Sequence, residues 1–332
     1  MGALLATAGL VTGGALGCAL VLSLLLRSVW RRAFYRPWGF ADPRASDVEG
    51  IELIDLKDAP GAHLFLWHLP PRAPGAPVLL FFDGVRGNLG LWNRRWRRIA
   101  AAGAGFVAVS YRGYGGSTGR PTEPGLLEDC RAGLAWAEAR YGDRVVLHGY
   151  SMGCAFAARL AAGTERPVIL EGAGLSVRHA IGRVAPFLLN RVAVRDGLEV
   201  ARWLGRAEGP VLIAHGRRDR IIPLAFARRL YERARAPKRF EVFDNGNHVN
   251  LSVVGLYPRV WAWLGYAPGG AFAEAMFTEE AAGPDDPFAP ASPAPLPGPL
   301  LTPLSDPLPH PSPILRYADE RPRRVLRAAG GA

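Results

Sequence analysis

Hydrophobic and polar positions divide the chain into four stretches of different character. The first is an uncharged apolar run. No charged side chain occurs from Met1 to Leu26, and this run ends in LVLSLLL. As a helix it would extend roughly 39 Å, enough to cross a hydrocarbon core of about 30 Å. Arg27, Arg31, Arg32 and Arg36 follow, interleaved with Trp30, Phe34, Tyr35 and Trp38. Arginines and aromatics just beyond an apolar segment suit the membrane interface. The pattern predicts a retained single-pass transmembrane anchor over residues 1–26, with a basic and aromatic juxtamembrane segment over 27–50. A cleavable signal peptide fits less well, because its basic leading region is absent and no small-residue cleavage site stands out. With the basic flank C-terminal to the span, the positive-inside rule puts the following domain on the cytoplasmic side. Gly9, Gly13 and Gly17 have the small-residue spacing that can pair such helices, a weak signal in so glycine-rich a segment.

The second stretch alternates short β-branched or aromatic runs with longer helix-period runs. Ile51–Leu56 and His63–Leu69 predict an opening antiparallel pair around a Pro60-Gly61 turn, and Val78–Phe82 a short buried strand. A helix over Leu91–Ala102, a strand over Phe106–Tyr111 and a helix over Pro124–Arg140 follow. Further strands are expected at Val145, Val168–Leu170, Val211–Ala214 and Phe240–Phe243, with a last helix ending at Leu264. Strands alternating with helices imply an α/β fold, a mostly parallel sheet covered on both faces. The domain spans 51–266.

One segment breaks the alternation. Residues 174–208 hold no strand, carry six arginines (Arg178, Arg183, Arg191, Arg195, Arg202 and Arg206) and place apolar residues at helical spacing. They predict a small helical insertion, either a lid over a substrate pocket or an ordinary crossover with a solvated basic face. The last stretch, 267–332, holds about half of the 29 prolines. Such a composition favours extended, solvated chain and reads as a disordered tail. It also offers a Pro-rich ligand to a partner domain.

Composition changes this picture little. The net charge of +11 is almost entirely arginine, since Lys57 and Lys238 are the sole lysines. No nucleic-acid-binding module accompanies it, so nucleic acid is excluded as a partner. Cys18, Cys130 and Cys154 are too few and too scattered for a disulfide framework or a metal site, and no cofactor is expected.

Candidate chemistry lies where strands end. Gly149-Tyr150-Ser151-Met152-Gly153 follows the strand at Val145 and precedes a small-residue helix, the setting of a nucleophile elbow. Its glycines permit a tight turn, and the Met152 amide faces a developing oxyanion. Asp219 follows the strand at Val211, and His248 follows the strand at Phe240. In a parallel sheet such loops gather at one edge, so His248 can take the Ser151 proton while Asp219 orients the imidazole. Several other groups carry structural expectations. His148 and His215 are core or loop histidines, Asp244 a turn residue, Asp129 a capping or pairing residue, and Cys154 a small buried hydrophobe. Arg94, Arg95, Arg97 and Arg98 form a solvated helix face with anionic lipid headgroups as a second use.

These residues together resemble the alpha/beta-hydrolase superfamily over about Ile51 to Leu264. The likeness rests on FFDGVRGNLGLWNRRW from Phe81, SYRGYGGSTGR from Ser110, the elbow, HGRRDRIIP from His215 and GNHVN from Gly246. It is strongest to the membrane-anchored serine-hydrolase branch that includes depalmitoylases. The resemblance implies a Ser151–Asp219–His248 triad, an oxyanion hole from the Met152 and Val85 backbone N–H groups, and cleavage of an ester or thioester of an acyl or lipid substrate. Asp83 departs from the branch's pattern and puts an anion beside a site that must hold negative charge. Good oxyanion stabilisation then requires Arg86 or Arg112 to neutralise it. A non-catalytic binding or scaffolding protein on the same fold is the competing reading, favoured by Asp83 and the tail. A serine peptidase is a third.

Overall fold

Eight strands form one sheet in the order β1-β2-β4-β3-β5-β6-β7-β8. They are β1 (Glu52–Leu56), β2 (Leu64–Leu69), β3 (Val78–Phe82), β4 (Gly105–Ser110), β5 (Val145–Tyr150), β6 (Val168–Glu171), β7 (Val211–Gly216) and β8 (Lys238–Phe243). The computed structural model describes residues 2–35, 46, 48–57, 59, 61–184 and 190–268. Arg36, Trp38, Pro60 and the tail from Gly269 lie outside the described residues, as do the side chains of Arg183 and Arg191. Strand β2 runs antiparallel to both β1 and β4, and every pairing from β4 through β8 is parallel.

The two-residue period of the strands builds two core layers. Val78, Leu80 and Phe82 of β3 point into one, with Val145 and Leu147 of β5. Leu79 and Phe81 point into the other, with Val146 and Tyr150. Helices α3 (Glu123–Tyr141), α4 (Gly153–Ala161) and α8 (Leu224–Arg233) cover the first layer. Helices α2 (Asn93–Ala101) and α9 (Leu256–Leu264) cover the second. Burial on both faces explains why the central strands read as unbroken apolar runs rather than as alternating ones.

Local signals set the helix ends. Thr122 caps α3 by accepting from the Gly125 N–H at 3.1 Å, Pro124 sits in the first turn, and Gly142 stops the helix at φ 57°. The predicted helix over Leu91–Ala102 divides into a 3-10 turn, Leu89–Trp92, and α2. The division follows from Asn88, whose side chain accepts from the Gly90 N–H and opens the turn before α2 begins.

Helix α1 (Gly2–Phe34) contains one stretch, Thr12–Arg32, long and apolar enough to cross a membrane. Leu16, Val21, Leu24 and Leu25 are exposed along it. Its end packs on the domain: Trp30 is buried with Ala193 and Val194, and Arg31 pairs with both carboxylate oxygens of Asp196 at 3.1 and 3.3 Å. The insertion between β6 and β7 holds α5 (Val177–Val184), α6 (Asn190–Ala193) and α7 (Val200–Leu204). Helix α7 packs on α4, and the backbone N–H groups of Gly197 and Leu198 donate to Glu123 at the start of α3.

Trp96 is fully buried and stacks on Phe106 with ring centroids 4.2 Å apart. Trp96→Ala is expected to lower unfolding free energy by about 3–5 kcal/mol, read from the urea midpoint by tryptophan-independent circular dichroism.

Candidate active site

The loops after β3, β5, β7 and β8 all leave the sheet at the same edge, because those strands are parallel. The turn after β5 is forced by sterics. Ser151 takes φ 52°, one of two positive-φ residues other than glycine among the described residues. A side chain at Gly153 would collide with the Phe82 carbonyl group. One at Gly149 would come within 2.6 Å of the Cys154 backbone. The two glycines therefore let α4 start directly against β3 and β5, and the strained serine is raised on the turn between them. The Ser151 N–H donates to the Glu171 carbonyl at 2.9 Å, and the Cys154 thiol, fully buried, donates to the Gly149 and Glu171 carbonyls.

Ser151, His248 and Asp219 meet. His248 Nε2 lies 3.0 Å from Ser151 Oγ, and His248 Nδ1 lies 2.7 Å from Asp219 Oδ2. With the proton on Nδ1 donated to Asp219, Nε2 is free to accept from the serine hydroxyl. Asp219 is held from the other side, where Oδ1 accepts from the Ile221 and Ile222 N–H groups at 2.9 and 2.8 Å. Burial pushes the Asp219 carboxyl upward, but the His248 hydrogen bond and charge outweigh it and hold the group below the usual aspartate range. It is an anion at neutral pH, as an imidazole-orienting carboxylate must be.

The loop after β3 abuts the serine: a Cβ at Gly84 would lie 3.5 Å from the Ser151 Cβ. Val85 follows, its carbonyl fixed by the Tyr114 hydroxyl at 2.8 Å. Among the described residues, the N–H groups of Val85 and Met152 carry no internal hydrogen bond.

Asp83 is buried and doubly bonded. Its Oδ1 accepts from the Gly84 N–H at 2.6 Å and its Oδ2 from the Trp92 indole at 3.0 Å. Burial raises its pKa to about 6, against the pull of these bonds and of Arg95. Of the two expected neutralisers, Arg86 and Arg112, Arg112 is engaged by Asp129, which accepts from its backbone N–H at 2.7 Å and from its Nε at 2.8 Å. Asp129 is thus the pairing residue expected. A cation that does act on Asp83 is Arg95.

Arg95 also corrects the expectation of a solvated RRWRR face. It is fully buried, forked onto Glu171 at 2.7 and 2.9 Å, bonded to the Tyr257 hydroxyl at 3.0 Å, and stacked over Phe81 and Trp92 at 4.9 Å. The signal lay in spacing: Trp92, Arg95, Trp96 and Ile99 fall at i, i+3, i+4 and i+7, so Arg95 stands on the apolar stripe of its helix. Glu171, the partner, had only its place at the end of an apolar strand to mark it. Burial would raise the Glu171 pKa, but Arg95 and His148 bring it down to about 2.

His148, His215 and Asp244 each have partners other than Ser151. His148 is buried 3.0 Å from Glu171 Oε2, and burial lowers its pKa. His215 Nε2 donates to the Ile222 carbonyl at 2.8 Å and stands 3.4 Å from Asp219. Asp244 is exposed and pairs with Arg217 rather than bonding its own turn. Among the described residues, no cluster of three or more His, Cys, Asp or Glu side chains is arranged to hold a metal ion.

No protein-family model matches the chain. It is 29% identical over 242 residues to the uncharacterized protein Rv2307c of Mycobacterium tuberculosis, covering 69% of this chain and 85% of that one. It is 28% identical over 229 residues to the alpha/beta hydrolase domain-containing protein WAV2 of Arabidopsis thaliana, covering 61% and 74%. Among solved structures, the esterase Pf2001 of Pyrococcus furiosus superposes with a TM-score of 0.53 at 17% identity, covering 69% of this chain and 93% of that one. The strand order and these likenesses define the alpha/beta-hydrolase fold, and they support a place in that superfamily.

Glu171→Gln leaves a buried guanidinium without its countercharge and is expected to cost about 3–5 kcal/mol in chemical denaturation, whereas the apolar pair Arg95→Met/Glu171→Leu costs less than either single change. Asp83 gives a pH signature of opposite sign to an ordinary paired aspartate. Its pKa of about 6 lies above the unfolded value, so its burial penalty is absent at pH below about 4 and complete above about 6. Relative to Asp83→Asn, the wild type should lose on the order of 2–3 kcal/mol between pH 4 and pH 7, measured by urea unfolding at each pH.

Proposed function

We propose that this chain is a membrane-anchored serine hydrolase that cleaves an ester or thioester through an acyl-enzyme on Ser151. The observation that carries the reading is the continuous hydrogen-bonded line from Ser151 Oγ through His248 to Asp219. Ser151 Oγ attacks the substrate carbonyl carbon as its proton passes to His248 Nε2. Asp219 stabilises the imidazolium, and the Met152 and Val85 N–H groups receive the oxyanion. Collapse of the tetrahedral intermediate breaks the bond to the alcohol or thiol, which leaves with the proton from His248. Water, deprotonated by the same imidazole, then releases the acid and regenerates Ser151.

An apolar acyl group suits the surroundings. The loop that carries Asp219 also presents Ile221, two-thirds exposed at 66%, and Ile222, which packs against Gly174 where the insertion begins. The insertion acts as a lid, and the span in α1 sets the domain beside the bilayer, with its basic flank on the cytoplasmic side. The charge of the Asp83 carboxylate is offset by the nearby Arg95 and by the hydrogen bonds from Gly84 and Trp92. A fluorophosphonate probe is expected to label the full chain and to leave Ser151→Ala unlabelled. Hydrolysis should favour acyl esters or thioesters over peptide substrates in a matched panel. Folded wild type that takes up no probe would refute the assignment.

A further inference from the structure

A second basic feature lies at the end of α1. Where the end of α1 meets α3, α4 and the insertion there is a cavity of about 490 Å³. Five arginines line it: Arg27 and Arg31 from α1, Arg131 from α3, Arg159 from α4 and Arg195 from the insertion. Three acids share the lining, and each is already committed. Asp196 takes both hydrogen bonds of the Arg31 fork, Glu123 accepts from the Gly197 and Leu198 N–H groups at 2.7 and 3.3 Å, and Glu128 pairs with Arg112 at 3.2 Å.

Among the described residues, no carboxylate lies within ion-pair distance of Arg27, Arg131, Arg159 or Arg195. Two of the four are nevertheless fixed in place. Arg27 donates to the Val192 carbonyl at 3.2 Å, and the Arg159 guanidinium lies 4.5 Å from the centroid of the Trp203 ring. Five guanidinium groups against three carboxylates leave the described lining with a net charge of +2, and an anion with several acceptor oxygens balances it. Planar forks of N–H donors match the geometry of phosphate.

Position chooses the source of the phosphate. Arg27 is the first charged residue after the uncharged run, so with α1 in a bilayer the cavity stands at headgroup depth. We propose that this cavity binds the phosphate of an anionic membrane phospholipid through Arg27, Arg131, Arg159 and Arg195. The bound headgroup ties α1, α3, α4 and the insertion together at the membrane surface. The proposal rests on the membrane-embedded reading of α1 and is independent of chemistry at Ser151.

The test uses the full chain in a non-ionic detergent, titrated with acyl-labelled phosphatidylglycerol and followed by fluorescence anisotropy. Each exposed arginine near a headgroup is worth about 1 kcal/mol, so Arg131→Ser/Arg195→Ser should weaken binding about 30-fold and Arg131→Ser alone about fivefold. Unlabelled phosphatidylglycerol should displace the probe far better than phosphatidylcholine or inorganic phosphate, and rising salt should weaken binding. Fluorophosphonate labelling of Ser151 and the melting temperature should not move in the double variant, which separates this site from the catalytic reading. Unchanged affinity in both folded variants would overturn the proposal. Displacement by inorganic phosphate as effective as by the lipid would assign the cavity to a soluble phosphate and overturn the lipid assignment.

Discussion

The fully buried pair of Arg95 and Glu171 is the interaction on which the candidate site depends. Two charges taken out of water are tolerable only when geometry and further bonds satisfy them. Here the fork is bidentate, Tyr257 and His148 add hydrogen bonds, and aromatic rings cover the guanidinium, whose Nε alone is left without a partner. The pair joins α2 to the end of β6. The same Glu171 holds the elbow through its backbone carbonyl, which accepts from the Ser151 N–H and the Cys154 thiol. A shift of β6 that strained the ion pair would therefore also move the serine. The Arg95 charge reaches Asp83 as well, so one cation tunes both the platform under Ser151 and the loop that carries Val85.

Strain and compactness are coupled at the elbow. Ser151 occupies the left-handed region at some cost, and it is kept there because α4 begins in contact with the Phe82 carbonyl. The small residues of α4 are what let the helix approach the sheet so closely. Ala155, Ala157, Ala158 and Ala161 are all buried. The geometry that lifts the hydroxyl out of the sheet is thus a consequence of packing behind it.

The end of α1 is part of the domain's packing. Trp30 and Arg31 secure it to the end of α6 and the residues that follow, while Leu16, Leu20, Leu22, Leu24 and Leu25 above them are exposed. The insertion that borders the Asp219 loop through Ile222 and Gly174 is the same segment that meets α1. A bilayer around α1 would consequently act on the insertion directly, and the arginine cavity lies at that junction.

The alternation of strands and helices, the parallel core, the elbow, and the order of Ser151, Asp219 and His248 were legible in the residues. Each is written in local periodicity or in the turn chemistry of a strand end, and a parallel sheet brings such ends to one edge by topology alone. What the tertiary structure decided is which charge meets which. Arg112, just after β4, and Arg95, in α2, both belong to segments that flank the Asp83 loop, yet Arg112 turns to Asp129 and Arg95 enters the core to meet Glu171. Nothing local separates them except the apolar stripe on which Arg95 stands. Pairing of buried charges is a long-range choice, made by the desolvation cost of every alternative, and that cost exists only once the two core layers have closed around it.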